Sequence, residues 1–419
     1  MQACRLQVRC TLQGNVEASH LRQAWATVVD QHPVLRSSVH WEGVKQPLQV
    51  VARQVTLPWQ EIDARGSAAQ HTLEDFLTTD SAQPLTLLQA PALRLTLVRL
   101  TDCTYELVWT CHHLLLDGWS GALVINQVLT AYEQLANGKL SETAPATTVQ
   151  APTHQQYVQW LAQQDTSAAA AFWKRTLSGY AGQPLPVLPD QPTSERAEAG
   201  VSLGETLSEK VQELLRSHHL TFNTLMQGLW SLCLYQNSDQ ADVLFGATVS
   251  GRQGDLPGVE SIVGLLINVL PVRATVVPRQ SALDWLQTLQ AQQVEASQYA
   301  YASQSQIQTW SGYVGQLFNS LLVIENYPTP PSNPTGRLQL SHLQSGIVST
   351  YGLTLVVKPG RNIHLHLEGN CLGHTALNER LQQLKTLLTS LLTQPNQRLE
   401  VLVPSITRTV PLPQVSQPT

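Results

Sequence analysis

Three observations predict an α/β protein built as two lobes. The 419 residues exceed what one ordinary core organises. Strand-like alternation and helix-like periodicity are mixed along the whole chain. The Pro-rich stretch AGQPLPVLPDQPTSERAEAG, residues 181–200, interrupts both patterns near the middle. The lobes are accordingly placed at residues 1–177 and 178–419, the second ending in the Pro-rich tail PSITRTVPLPQVSQPT.

Taken in order, MQACRLQVRCTLQG alternates apolar and polar residues as a strand does, and it lacks the continuous apolar block of a signal peptide. After Gly14, with Asn15 available as a cap, Leu21, Ala24, Trp25 and Val28 recur at helical spacing. LRLTLVRL (93–100) alternates, Thr101 and Asp102 make a turn, and YELVWTCHH (105–113) follows as the partner strand. A helix then starts near Trp119 and Ser120, with Ser120 as its N-cap. It carries Val124, Val128, Ala131 and Leu135 on one face and stops at Asn137-Gly138. Further Pro-rich breaks occupy 140–154 and 327–336. The second half repeats the mixture: a helix around 208–236, strands in DVLFGATVSG and IVGLLINVLPVR, and a long helix over 281–299. Strands in LFNSLLVIENYP, LTLVVKP and IHLHLEGN precede a last helix over 378–392.

Composition removes several function classes. Charged residues are 13% of the chain against 42% hydrophobic, and the net charge of −5 comes with no Lys/Arg cluster, which argues against nucleic-acid binding. The six cysteines show no CxxC spacing and sit mostly in apolar runs, as reduced core residues of a cytoplasmic protein do. No run approaches the ~20 apolar residues of a membrane span.

Chemistry concentrates in CHHLLLDGWS, residues 111–120. On a strand, Tyr105, Leu107, Trp109, Cys111 and His113 share one face and Glu106, Val108, Thr110 and His112 the other, so the two imidazoles cannot act on one atom. One should meet a solvent-reachable cleft and the other packing, and alternation leaves that choice open. Adjacent histidines are ordinarily unremarkable. His218-His219, in ELLRSHHLTFN, has no Asp-Gly after it and suits a helix C-terminus. A zinc site is disfavoured because neighbouring strand positions diverge and no third ligand stands at a recognisable spacing, so no metal is assigned. Ser120 as a nucleophile is disfavoured because DGWSG lacks the GxSxG elbow.

HHLLLDG resembles the HHxxxDG signature of the condensation domains of nonribosomal peptide synthetases, in the chloramphenicol acetyltransferase-like superfamily. QHPVLRSSV (31–39) resembles their RHxxLR segment, with Gln31 where Arg is usual. THQQYVQWL (153–161) followed by AFWKRTLSG resembles the crossover region, and DVLFGATVSGR and VGLLINVLPVR resemble the bridge and acceptor-side segments. QIQTWSG and LFNSLLVIENYP continue the pattern over nearly the whole chain. The segment usually found ahead of the first strand is missing, which reads as a trimmed or shortened first lobe. Neither an adenylation signature nor a GGxS carrier site is present.

The resemblance implies two chloramphenicol acetyltransferase-like lobes forming a V-shaped pseudo-dimer around a central tunnel. It implies amide-bond formation between a carrier-bound acyl or peptidyl thioester and a carrier-bound aminoacyl acceptor. No cofactor is expected on the chain itself. Substrates would arrive on the phosphopantetheine arms of donor and acceptor peptidyl carrier proteins, with adenylation domains as further partners and neither nucleic acid nor membrane involved. His113, the second motif histidine, is then the catalytic residue, either taking the proton from the attacking amine or holding that amine and steadying the oxyanion. His112 is a packed neighbour. Asp117 needs a buried cationic partner, for which Arg36 ranks first and Arg252 second. Gly118 would serve a tight turn, and Trp119, Ser250 and Asn268 would line the tunnel. The alternatives are a stand-alone acyltransferase acting on a free small molecule, and a non-catalytic docking domain.

Overall fold

A computed structural model describes residues 5–66, 68–138, 152–185, 196–238, 240–328, 337–347 and 349–403. In chain order the elements are β1 (Arg5–Gly14), α1 (Ala18–Gln31), β2 (Ser37–His40), β3 (Leu48–Val51), β4 (Trp59–Asp63), α2 (Ala69–Ala82), β5 (Leu93–Arg99), β6 (Thr104–His112), α3 (Gly118–Ala136), α4 (His154–Ala162), α5 (Thr166–Leu177) and β7 (Ala197–Ser202). There follow α6 (Glu205–His218), α7 (Phe222–Gln236), β8 (Asp242–Val249), β9 (Asn268–Thr275), α8 (Ala282–Ser297), α9 (Gln304–Ser311), β10 (Ser320–Ile324), β11 (Leu338–Ile347), β12 (Leu353–Lys358), β13 (His364–Gly369), α10 (His374–Thr393) and α11 (Leu399–Leu402). The tail PSITRTVPLPQVSQPT lies outside the described residues, as do most of the three internal Pro-rich stretches.

The chain divides into two compact units. One holds Met1–Gln164, Ser250–Ile267 and Asn326–Thr350, the other Asp165–Val249, Asn268–Glu325 and Tyr351–Thr419. The first crossing therefore falls at Gln164/Asp165 and not at the expected 177/178, and two segments of the second half belong with the first. Packing accounts for this. Phe172 and Trp173 of α5 bury with Leu244, Leu270 and Phe318 of the second unit, whereas β11 pairs along β1 from Leu6–Ile347 to Gly14–Leu338.

In the first unit the sheet order is β11-β1-β6-β5-β4, with only β4 and β5 parallel. Leu6, Cys10 and Leu12 of β1 alternate inward with Trp109 and Cys111 of β6, and Trp25, Val28, Val124 and Val128 of α1 and α3 cover them. Trp25 meets Trp109 edge-on at 4.9 Å between ring centroids. The other face of the sheet takes α2, whose Leu73 packs against Val98. In the second unit the order is β7-β13-β12-β10-β8-β9, with β12, β10 and β8 parallel. β8 is buried on both faces, Phe245 toward the core of α7 and α10 and Leu244 toward that of α5 and α9.

Three local expectations change. The helix expected over 208–236 is two, because His219 adopts a left-handed φ of 53° as the C-cap of α6 and the Thr221 hydroxyl then caps α7. Asn15 does not cap α1; Glu17 holds that position and makes no side-chain cap. α3 starts at Gly118, and its N-cap is Asp117, not Ser120. No helix among the described residues is long and apolar enough to cross a membrane.

Candidate active site

β6 carries His112 and leads directly into His113, and the face of Glu106 and Thr110 is anchored by polar bonds. Glu106, 2% exposed, accepts from Arg9 Nε at 2.9 Å and from Thr11 Oγ1 at 2.8 Å. Nearer the strand end, the Thr110 hydroxyl donates to Asp80 at 2.6 Å, and Asp80 also accepts from Gln7 at 2.6 Å and Arg94 Nε at 2.5 Å. Burial alone would push the Asp80 carboxyl up. The bonds from Arg94, Thr110 and Gln7 and the charge on Arg94 outweigh it and hold the group below the usual carboxylate range.

β6 ends at His112, so alternation does not assign His113 to a face. The Leu115 amide donates to His112 O at 3.0 Å, and the Leu114 amide donates to His112 Nδ1 at 3.1 Å. That nitrogen is an acceptor, so the His112 ring is part of the turn. Burial, then the neighbouring His113, pushes its pKa down. Leu115 and Leu116 are fully buried and pin the turn from below. His113 is half-buried, and its imidazole has no hydrogen-bond partner among the described residues.

Asp117 closes the turn and is 1% exposed. Its Oδ1 caps α3 by accepting from the Ser120 amide at 2.8 Å. Its Oδ2 accepts from the amides of Leu266 at 2.9 Å and Ile267 at 3.1 Å. Arg252 grips both oxygens, Nη1 to Oδ2 at 2.9 Å and Nη2 to Oδ1 at 3.1 Å, and reaches Ser120 Oγ at 2.8 Å. Its side chain is 4% exposed.

Arg252, not the first-ranked Arg36, is therefore the partner of Asp117. Arg36 stands at the end of the short turn after α1. Its donors go to the carbonyls of Ala52, Arg53 and Asp30, with the Asp30 carboxylate 3.8 Å away. It ties α1 to the β2–β3 hairpin.

Gly118 also has a different reason from the expected tight turn. Its φ is not left-handed, but a Cβ there would lie 2.3 Å from Tyr327 Cζ, so the glycine admits the close approach of a ring. Trp119 donates from Nε1 to Glu260 O at 2.9 Å and lies 5.5 Å from the Arg252 guanidinium. Ser250 Oγ accepts from the Arg252 amide at 3.3 Å and so shapes the arginine loop. Asn268, in the second unit, spends its amide donors on Ala300 O and Ala302 O at 2.8 and 2.7 Å, leaving none for a substrate. The described residues hold no cluster of potential metal ligands. Sequence reasoning passed over Tyr327, Gly264 and the two backbone amides. Backbone donors carry no residue signature, and only the glycine at 118 hinted at a ring beside it.

Fold and site together describe a mixed α/β protein with a motif histidine on a clamped turn, and the comparisons identify its family. A condensation domain model matches residues 1–405. One of the linear gramicidin synthase proteins of Brevibacillus parabrevis is 39% identical over 412 residues, which cover 94% of this chain but 5% of that protein. The chain belongs to the condensation domain family. The starter condensation domain of rhizomide synthetase, crystallised with C8-CoA and Leu-SNAC, superposes with a TM-score of 0.81 at 18% identity, covering 95% of this chain and 91% of that one. The first condensation domain of the calcium-dependent antibiotic synthetase, in complex with a substrate analogue, gives 0.78 at 16%, covering 95% and 93%.

Proposed function

We propose that this domain forms an amide bond between a carrier-bound acyl or peptidyl thioester and a carrier-bound aminoacyl group, with His113 as the catalytic residue. The observation carrying this reading is a half-buried imidazole, without a hydrogen-bond partner among the described residues, on a turn whose far end is locked by the buried Asp117–Arg252 pair. The amine nitrogen attacks the thioester carbonyl, the C–N bond forms and the C–S bond breaks. The proton shed by the amine passes through His113 to the departing thiolate. General-base help is worth ~10² to 10⁴-fold, while holding both reactants in place contributes about 7–11 kcal/mol, so positioning outweighs proton transfer.

Donor and acceptor carrier proteins with phosphopantetheine arms, and adenylation domains beyond this chain, are the partners this reading assigns, in the cytoplasm and with no cofactor bound by the chain. The gramicidin synthase relative and the rhizomide starter domain, the latter solved with C8-CoA and Leu-SNAC, support it. The test is to mix an acyl-loaded donor carrier with an aminoacyl-loaded acceptor carrier and weigh both by intact mass spectrometry. The acyl mass is expected to move to the acceptor, and not to move with His113→Ala. Transfer only to a free amine or alcohol would make the protein a stand-alone acyltransferase. Tight binding without transfer would make it a docking domain.

A further inference from the structure

The stretch THQQYVQWL has no place in the chemistry above, yet it packs against the catalytic turn's support. It forms the N-cap and nearly all of α4, which the capping box of Thr153 and Gln156 fixes at its first turn. His154, Tyr157 and Trp160 follow at intervals of three along α4, with Tyr157 stacked on Trp160 at 5.8 Å. Each meets a glycine of the segment that delivers Arg252. A Cβ on Gly264 would fall 2.3 Å from His154 Cδ2, and one on Gly254 2.8 Å from Trp160 Cζ2. One on Gly251 would lie 3.1 Å from the Tyr157 hydroxyl.

The His154 contact bears most directly on the turn. The Gly264 carbonyl accepts from Ser120 Oγ at 2.7 Å and from the Asp117 amide at 3.4 Å, and the Gly264 amide donates back to Ser120 Oγ at 3.0 Å. Two residues on, the Leu266 amide bonds the Asp117 carboxylate. His154 itself lies 3.4 Å from Leu265 O.

We propose that His154 is a positioning residue, its ring setting the depth at which Gly264 holds Asp117 and Ser120 and hence the placement of His113. The proposal rests on the acyl-transfer reading for its kinetic consequence only. Restoring an ordinary carbon–carbon separation at a Cβ now 2.3 Å from the ring requires a shift of about 1 Å. A misplacement of that size can cost ~10²-fold in rate.

The test uses Gly264→Ala, His154→Ala and the double variant, with kcat and KM per folded molecule in the carrier assay and hydrogen exchange at the Ser120 amide. Gly264→Ala should lower kcat about 10- to 100-fold with donor KM unchanged, and should speed Ser120 exchange. The double variant should return both to the His154→Ala values. A wild-type kcat in Gly264→Ala or in His154→Ala overturns the proposal, as does a double variant whose kcat and Ser120 exchange differ from those of His154→Ala. If the wild type transfers nothing, the acyl-transfer reading fails, and the Ser120 exchange pattern still decides whether His154 sets the turn.

Discussion

Replacing Asp117 by alanine should unfold the protein at markedly lower denaturant, whereas replacing His113 should not, although both should stop transfer. Asp117→Ala leaves the Arg252 guanidinium, 4% exposed, without its counter-charge. Breaking a buried pair from one side costs about 3–5 kcal/mol, much of it the stranded charge. The same change removes the N-cap of α3 and the acceptor for the amides of Leu266 and Ile267. Against a typical domain stability of about 5–15 kcal/mol this is a large fraction. With a urea m-value near ~3 kcal/mol/M, the midpoint of the affected transition should fall by about 1–2 M. His113 gives up no hydrogen bond to described residues, so its alanine variant should stay within about 0.5 kcal/mol of the wild type. Urea titrations followed by tryptophan fluorescence, run beside the carrier assay, measure both. Coincident midpoints for the two variants would refute the division between a structural aspartate and a chemical histidine. Adding Arg252→Met to Asp117→Ala should recover part of the loss and not all, because the charge leaves while the two amides stay unpaired.

Arg252→Met alone should cost about 3 kcal/mol and most of the activity, while Arg36→Met should cost about 1 kcal/mol, since carbonyl contacts between α1 and the hairpin and an ion pair to the exposed Asp30 are lost; denaturation midpoints of the two check it. Gly118→Ala should reduce transfer because its Cβ would meet the Tyr327 ring, and adding Tyr327→Ala should restore part of the rate in the carrier assay. Stability should fall on acidification below the ordinary histidine value of about 6.5, because burial lowers the pKa of His32, His112 and His154. The unfolded chain then binds more protons than the folded one, so stability present above that value is lost as pH drops through the lowered folded values. Urea midpoints that stay level from pH 7.5 to about 5.5 would contradict this.

Much of the architecture was legible because the core elements are strongly patterned. β6 alternates as its residues require, and α3 ends where Asn137 and Gly138, at a φ of 65°, stop it. What was not legible depends on contacts far apart in sequence. Nothing local distinguishes Arg252 from Arg36 as the partner of a carboxylate 135 residues away in one case and near in motif order in the other. Asp117 and not Ser120 is the N-cap because the turn ends at Asp117 and α3 starts at Gly118, while the Ser120 hydroxyl is spent on the distant Gly264 carbonyl. The break at His219 was legible in the histidine pair, which suits a helix C-terminus, but the apolar periodicity continues across it and masks it as one helix over 208–236. The Pro-rich stretch does not mark the unit boundary, because β11 and the segment with Arg252 return to the first unit by pairing and packing.

The histidine motif is best understood as a short turn clamped at both ends. Upstream, Asp80 and Arg94 hold Thr110, three residues before His113. Downstream, Arg252 and the 264–267 backbone hold Asp117, four residues after it. Between the clamps, Leu115 and Leu116 are buried and His112 bonds the Leu114 amide, leaving little freedom to the backbone that bears His113. On the proposed role of His113, fixing the backbone this way would spare the entropy that a mobile turn would lose each time the imidazole met a reacting amine. Both oxygens of Asp117 are already taken up by Arg252, the Ser120 amide and the amides of Leu266 and Ile267, which is why its predicted loss falls on stability as well as on transfer.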